Sequence, residues 1–456
     1  MASLQPVRAL LARRSAVLFC AALLIAVSVT FVLRDSRGSA APDATGRRTD
    51  DLAAYVAWMR LVTVGGIQDA YHGTYVDTYS VYGPVILYGY EAVGTAYEKF
   101  VDPTYDRQRA ENSVWPVRGI KATALGWHLL TAVAIYLFVR RLAGPAPAGL
   151  AAALYAANPV ALYDVARWGQ PDGAHSLFAV LTIGLLLCGA PMWAWATLAL
   201  GVLAKPQGLL ILPLVVLATW RIGGRRGLYR GVAAAAVVSA VVVLPFVLSG
   251  RFGDLLGVPS TIASVQPSVT ANAYNAWWLI FGLGGIADRQ SVLDMTTLAG
   301  PFTYRLVAGV CVAINFLLTG WLYWTRRAGL AEVAALGVLG WFLLTTQAHE
   351  NHLFVALPVL ALAWPGRPGL LIVFALLSLT IFINMLGASA LPQLIGSLAG
   401  GRLLAGLRDL TAGLNVGCYV VWAVVAAVRP PAKVCVYPHF RKELPAPRNA
   451  AATNMS

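Results

Sequence analysis

The stretch TTQAHENHLFVALPVLAL, Thr345 to Leu362, sets His349, Glu350 and His352 within four residues, where one apolar run gives way to the next. Two imidazoles beside a carboxylate suggest metal ligation first. A zinc protease, however, uses H-E-x-x-H to put histidines i and i+4 on one helix face, and the spacing here is i and i+3. That chemistry is excluded, and neither a metal nor a cofactor is expected. No Gly-rich phosphate loop and no Ser-centred nucleophile elbow occurs elsewhere.

Four further segments carry reactive groups inside apolar surroundings. TDDLAAYVAW offers Asp50 and Asp51 ahead of an expected helix over 52–64. A carboxylate there suits a helix N-cap, the reading favoured for Asp50. Asp51 suits equally a general base that takes a proton from a hydroxyl. RWGQPDGAHS contributes Trp168, Gln170 and Asp172, and NAYNAWW contributes Asn275 and Trp277. In AKPQG, Lys205 sits between two short apolar runs. Its ammonium either snorkels to an interface or neutralises an anion, with Pro206 holding the break open.

The elements that must position these groups are membrane helices. Of 456 residues, 58% are hydrophobic and 12% charged, against about 25% charged in a soluble domain; mean hydropathy is +0.68. We expect an all-α polytopic protein with about twelve spans (range 10–13), at roughly 16–33, 119–139, 146–163, 172–188, 191–204, 208–220, 231–249, 303–325, 329–345, 352–364, 369–388 and 403–428. The net charge of +14 sits mostly in short links between these runs, as topology-setting charge does, so nucleic acid is not an expected partner. Cys20, Cys188, Cys311 and Cys418 lie in apolar runs with no CxxC spacing.

Arg8, Arg13 and Arg14 precede the first apolar run, which is long for a signal peptide and is read as a retained span. Placing the N-terminus in the cytoplasm puts Arg140–Arg141, Arg221 to Arg230, Arg326–Arg327, Arg367 and Arg429 onward on the same side. Both ends are then cytoplasmic. Residues 1–428 read as one membrane domain and 429–456 as a disordered cytoplasmic tail. Two long outer loops remain, 34–118 with amphipathic interfacial helices, and 250–302.

Under this topology all five polar segments fall on the outer face. Ionisable groups at membrane depth are costly and mark a function. The set suits transfer of a sugar from a lipid phosphate. His349 and Lys205, with Arg118 or Arg305, would meet the phosphate, Trp168 and Trp277 the sugar faces, and a lone carboxylate would serve as base in an inverting displacement.

These residues resemble the GT-C superfamily of integral-membrane glycosyltransferases that use polyprenyl- or dolichyl-phosphate sugars, nearest the branch that glucosylates the lipid-linked oligosaccharide of asparagine-linked glycosylation. The likeness rests on Asp51 seven residues before Trp58, on YGPVILY from Tyr82 to Tyr88, and on the His349-Glu350 pair running into LFVALPVLAL. It implies Asp51 as catalytic base, His349 as donor-phosphate contact, and interfacial helices packed over a cavity. Two departures stand out: Gly83 replaces the second proline of a Tyr-Pro-Pro motif, and Asn351 replaces a lysine after His-Glu. The expected donor is a polyprenyl-phosphate hexose, mannose or glucose. The expected acceptor is an envelope glycolipid, glycan or protein, met among membrane lipid at the outer face of a bacterial inner (plasma) membrane. Tyr82, Trp168, Gln170, Asp172, Asn275, Trp277, Glu350 and His352 are the further cavity candidates. The competing reading is a transporter or flippase of an anionic lipid or solute. Such proteins usually carry repeated halves, and no repeat is seen here.

Overall fold

The computed structural model describes residues 5–36, 51–72, 80–265, 267–286, 288–389 and 400–428. Asp50 and the tail 429–456 lie outside the described residues. The chain is helical almost throughout. After α1 (Gln5–Val32) come α2 (Asp51–Val64), α3 (Pro84–Phe100) and α4 (Arg107–Asn112). Then follow α5 (Val114–Ala143), α6 (Pro145–Ala156), α7 (Pro159–Leu162), α8 (Asp172–Leu187), α9 (Pro191–Ala204) and α10 (Leu212–Leu248). The second loop holds α11 (Phe252–Val265) and α12 (Ala276–Leu283). The chain continues as α13 (Tyr304–Trp324), α14 (Leu330–Leu344), α15 (Ala356–Ala363), α16 (Leu370–Ala388) and α17 (Gly400–Val428).

Every expected span falls on a helix, but the helices are of two kinds. Six segments are long and apolar enough to cross a membrane: Leu10–Val32, Val114–Ala143, Pro206–Leu248, Tyr304–Trp324, Leu370–Ala388 and Leu403–Val428. The third of these covers two expected spans, because the chain breaks at Gly224 (φ 56°, ψ −148°). The remaining spans fall on helices of 8 to 16 residues, α6, α8, α9, α14 and α15, shorter than the roughly 20 residues a crossing needs.

Packing separates the two kinds again. The short helices are interior: α14 is buried nearly all round, as are α8 and α15. The long helices present apolar side chains outward, with Val241 67%, Leu317 73% and Ile372 75% exposed. That is the inverse of a soluble surface and matches a lipid-facing wall.

Local signals set the ends. Ser113 caps α5 by accepting from the Trp115 amide at 3.3 Å, and Gly144 (φ 98°) closes it after Arg140 and Arg141, cations that suit a helix C-terminus. α2 and α3 pack through Leu52, Tyr55, Met59, Ile86, Leu87 and Tyr90 into a second apolar cluster. Thr270–Ala271 pairs in parallel with Ala348–His349, and Asn272 bridges to His349. The segment after α11 is thereby joined to the AHENH turn.

Candidate active site

Asp51 opens α2 and is exposed, with Tyr55 one turn on and buried. Residues i and i+4 share a helix face, so carboxylate and phenol point the same way. The Asp51 carboxylate Oδ2 accepts from Gln170 Nε2 at 2.8 Å. Gln170 Oε1 in turn accepts from the Tyr55 hydroxyl at 2.6 Å and the Tyr82 hydroxyl at 2.7 Å.

Gln170 reaches this place through an irregular turn. A π-helical turn over Tyr163–Trp168 ends in Gly169 at φ 68°, a left-handed conformation that favours glycine. A Cβ at Gly169 would stand 2.8 Å from Leu52 of α2, so the glycine also lets the two segments approach. Tyr82 is set by its neighbour: the Gly83 amide donates to Ala204 O at 3.0 Å, and Tyr71 donates its hydroxyl to Tyr82 O at 2.7 Å. The segment leading into α3 is thus docked on the end of α9.

The next residue after that end is Lys205. Its ammonium lies 5.6 Å from the Tyr82 ring centroid and forms a buried ion pair with Asp172, the first residue of α8. Asp172 Oδ2 also accepts from Asn351 Nδ2 at 2.7 Å. Asp51, Gln170, Tyr82, Lys205 and Asp172 therefore form one continuous polar network that ends in the AHENH turn.

In that turn the His349 amide donates to His352 Nδ1 at 3.2 Å, and the two rings stand edge to face at 5.0 Å. Gln347 just before them is held at φ 61°, its side chain donating to Asp294 and to Ala263 O. A non-glycine residue in that region is strained and persists only where its surroundings over-determine it. Lys205, Asp172, His175, Gln207, Asn351 and His352 line a recess at this point.

Burial governs the charge states. It pushes the Glu350 carboxyl up to about 7, partly offset by a backbone hydrogen bond, with repulsion from Asp51 and Asp172 adding. It pushes His349 down to about 4, helped by Lys205. His349 is then a neutral hydrogen-bonding imidazole at neutral pH, not a cation. Burial also raises the Tyr55 and Tyr82 phenols well above their usual range, so both remain proton donors.

No protein-family model and no curated protein matches the chain. Among solved structures, it is similar over 90% of its length to ArnT from Cupriavidus metallidurans bound to undecaprenyl phosphate, at 16% identity and TM-score 0.47, covering 77% of that chain. The apo state of the same protein gives 14% identity and TM-score 0.45. The Archaeoglobus fulgidus oligosaccharyltransferase tethered to an acceptor peptide gives 15% identity and TM-score 0.41, covering 91% of this chain and 55% of that one.

Several candidates stand apart from the network. Asn275 caps α12 by accepting from the Trp278 amide at 3.0 Å, and its amide group reaches Phe342 O. Trp277 donates its indole N–H to Leu344 O at 2.9 Å and packs edge-on against Tyr304. Both help hold α12 against α14. Trp168 packs against Tyr163 at 5.6 Å. Arg118 is paired with Asp35 at 2.6 Å and Arg305 with Asp294 at 2.8 Å.

Sequence reading missed Tyr55, whose signal was its i+4 spacing from Asp51, and the roles of Gln207 and Asn351 within AKPQG and AHENH. It also missed Asp164, which is fully buried with neither carboxylate oxygen partnered among the described residues. Burial and Asp172 raise its carboxyl well above the usual range.

Proposed function

We propose that this chain is an inverting glycosyltransferase of the GT-C kind, moving a sugar from a polyprenyl-phosphate donor to a hydroxyl acceptor at the extracytoplasmic face of a bacterial inner membrane. The observation that carries the reading is the network itself. An exposed carboxylate held by Gln170 is linked through Tyr82 to the Lys205–Asp172 pair beside His349.

Asp51 is the general base. As the acceptor oxygen attacks the anomeric carbon, its proton passes to the Asp51 carboxylate. The bond from that carbon to the phosphate oxygen breaks, its electron pair leaves on the polyprenyl phosphate, and the configuration inverts. Lys205 and the neutral His349 imidazole stabilise the departing phosphate. Tyr82, Gln170, Asp172, Glu350 and His352 form the walls of the site. The transferred sugar is a hexose, mannose or glucose, and the acceptor an envelope glycolipid, glycan or protein.

The test is transfer by the purified protein in lipid nanodiscs, given polyprenyl-phosphate mannose or glucose and an envelope lipid extract. Asp51→Asn should abolish transfer while leaving the melting temperature unchanged. Wild-type turnover by that variant would remove Asp51 as base. In proteoliposomes, flux of the lipid phosphate without any sugar transfer would replace the enzyme reading with a transporter.

A further inference from the structure

We propose that Gln170, clamped by the hydroxyls of Tyr55 and Tyr82, is the positioning residue for Asp51. This rests on the reading of Asp51 as base, and the experiment below separates the two.

Asp51 is exposed at the first position of α2, where an unrestrained carboxylate would sample several rotamers. Its Oδ2 is taken instead by Gln170 Nε2 at 2.8 Å. The direction of that amide follows from the donor inventory. An ionised carboxylate only accepts, so it must face the NH2 end of the glutamine. The carbonyl end then faces the other way, and there it meets two phenol protons at 2.6 and 2.7 Å. Reversing the amide would set two acceptors 2.8 Å apart, so the carboxylate alone fixes its direction.

The clamp is itself immobile. The two hydroxyls stand 2.9 Å apart, and both rings are buried, Tyr55 beside Trp58 and Tyr90 and Tyr82 edge-on to Trp58. The phenols stay protonated because burial and the nearby carboxylates oppose their ionisation. The Gln170 backbone is tied by its amide to Asp164 O at 3.1 Å. The side-chain carbonyl oxygen of Gln170 accepts twice, which holds the amide in the orientation that meets Asp51. Three segments distant in sequence thus cooperate to present one carboxylate.

The consequence is measurable because hydrogen-bond donation to a carboxylate favours its ionised form. Gln170→Ala removes the donor and should raise the Asp51 midpoint by about one pH unit. Gln170→Glu keeps the shape and the two phenol bonds but sets a carboxylate against Asp51, so the midpoint should rise further. The readout is an infrared pH titration of the 13C-aspartate-labelled protein in nanodiscs, with the Asp51 band identified by its loss in Asp51→Asn. It needs no substrate. In parallel, turnover with polyprenyl-phosphate mannose or glucose should fall about tenfold in Gln170→Ala, with donor KM within about twofold and the acidic limb of the rate profile moved upward by the same shift.

An Asp51 midpoint unmoved in both variants overturns the proposal, whatever happens to turnover. A merely structural role for Gln170 would lower the melting temperature of Gln170→Ala, spare Gln170→Glu and leave the midpoint in place. Full turnover by Asp51→Asn would instead remove the base reading, while a shifted midpoint would still uphold the contact between Gln170 and Asp51.

Discussion

Replacing Asp172 by asparagine isolates what holds the centre of the network. Lys205 and Asp172 keep only 9% and 5% of their side-chain surface exposed, so the pair has little water to fall back on. Asp172→Asn leaves the ammonium buried without its counter-charge, and breaking one side of a buried pair costs about 3–5 kcal/mol. A Coulomb estimate agrees: about 4 kcal/mol for unit charges near contact at an effective dielectric of 20. With an unfolding entropy of roughly 2.1 cal/mol/K per residue, a chain of 456 residues loses about 1 °C of melting temperature per kcal/mol. The expected drop is therefore about 3–5 °C, read by tryptophan fluorescence of the purified protein.

The companion variant decides whether charge or packing is responsible. In Lys205→Met with Asp172→Leu the pair is replaced by apolar groups of similar size, an exchange that is often neutral. It should recover most of the lost stability while remaining inactive, because no cation is left to meet a phosphate. Asp172→Asn melting within 1 °C of wild type would refute the reasoning, showing a hydrated lysine. So would a double variant as unstable as the single one.

Three further outcomes follow from other residues. Free glutamate titrates near 4.5 and Glu350 near 7, so the folded state holds a proton across that window that the unfolded state releases. Stability should fall as pH rises from about 4.5 to about 7, by about 3 kcal/mol, and Glu350→Gln should flatten that slope in melting temperature against pH. Gly83→Ala places a Cβ 2.0 Å from Leu203 O. It should cost about 1–3 kcal/mol and lower turnover by displacing Tyr82, and Gly83→Pro, which lacks the N–H that meets Ala204 O, should do the same. Asn275→Ala should lose about 1 kcal/mol as a helix cap with donor KM unchanged, and a raised KM would return Asn275 to the site.

How far the site could be read in advance depended on cost rather than contact. Asp51, Lys205, Asp172 and the AHENH turn were visible because charge inside apolar sequence is expensive and therefore conspicuous. The same logic singled out Asn275 and Trp277, whose bonds to Trp278, Phe342 and Leu344 are structural ties that composition alone does not announce. Gly83 looked like a departure from a proline motif, yet its N–H bond and its closeness to Leu203 O leave no room for one. Tyr55 and Gln170 were legible as residue types but not as partners. Their meeting depends on the left-handed turn at Gly169, which a sequence announces only as one glycine among 43.

The lengths of the helices explain why the network lies where it does. Backbone groups in lipid must be bonded internally, so an interior helix that stops short leaves its end groups and flanking side chains to find protein partners. α8, α9, α14 and α15 have 16, 14, 15 and 8 residues, too few to reach both faces of a bilayer. Asp172 begins α8, Lys205 follows the last residue of α9, and the AHENH turn joins α14 to α15. The polar groups are therefore gathered at the recessed ends of short buried helices, behind a wall of longer ones. α2 and α3 close over those ends by docking Gly83 on Ala204 and Gln170 on Asp51. The shortness that made the spans hard to count is therefore what gathers these polar side chains around one recess.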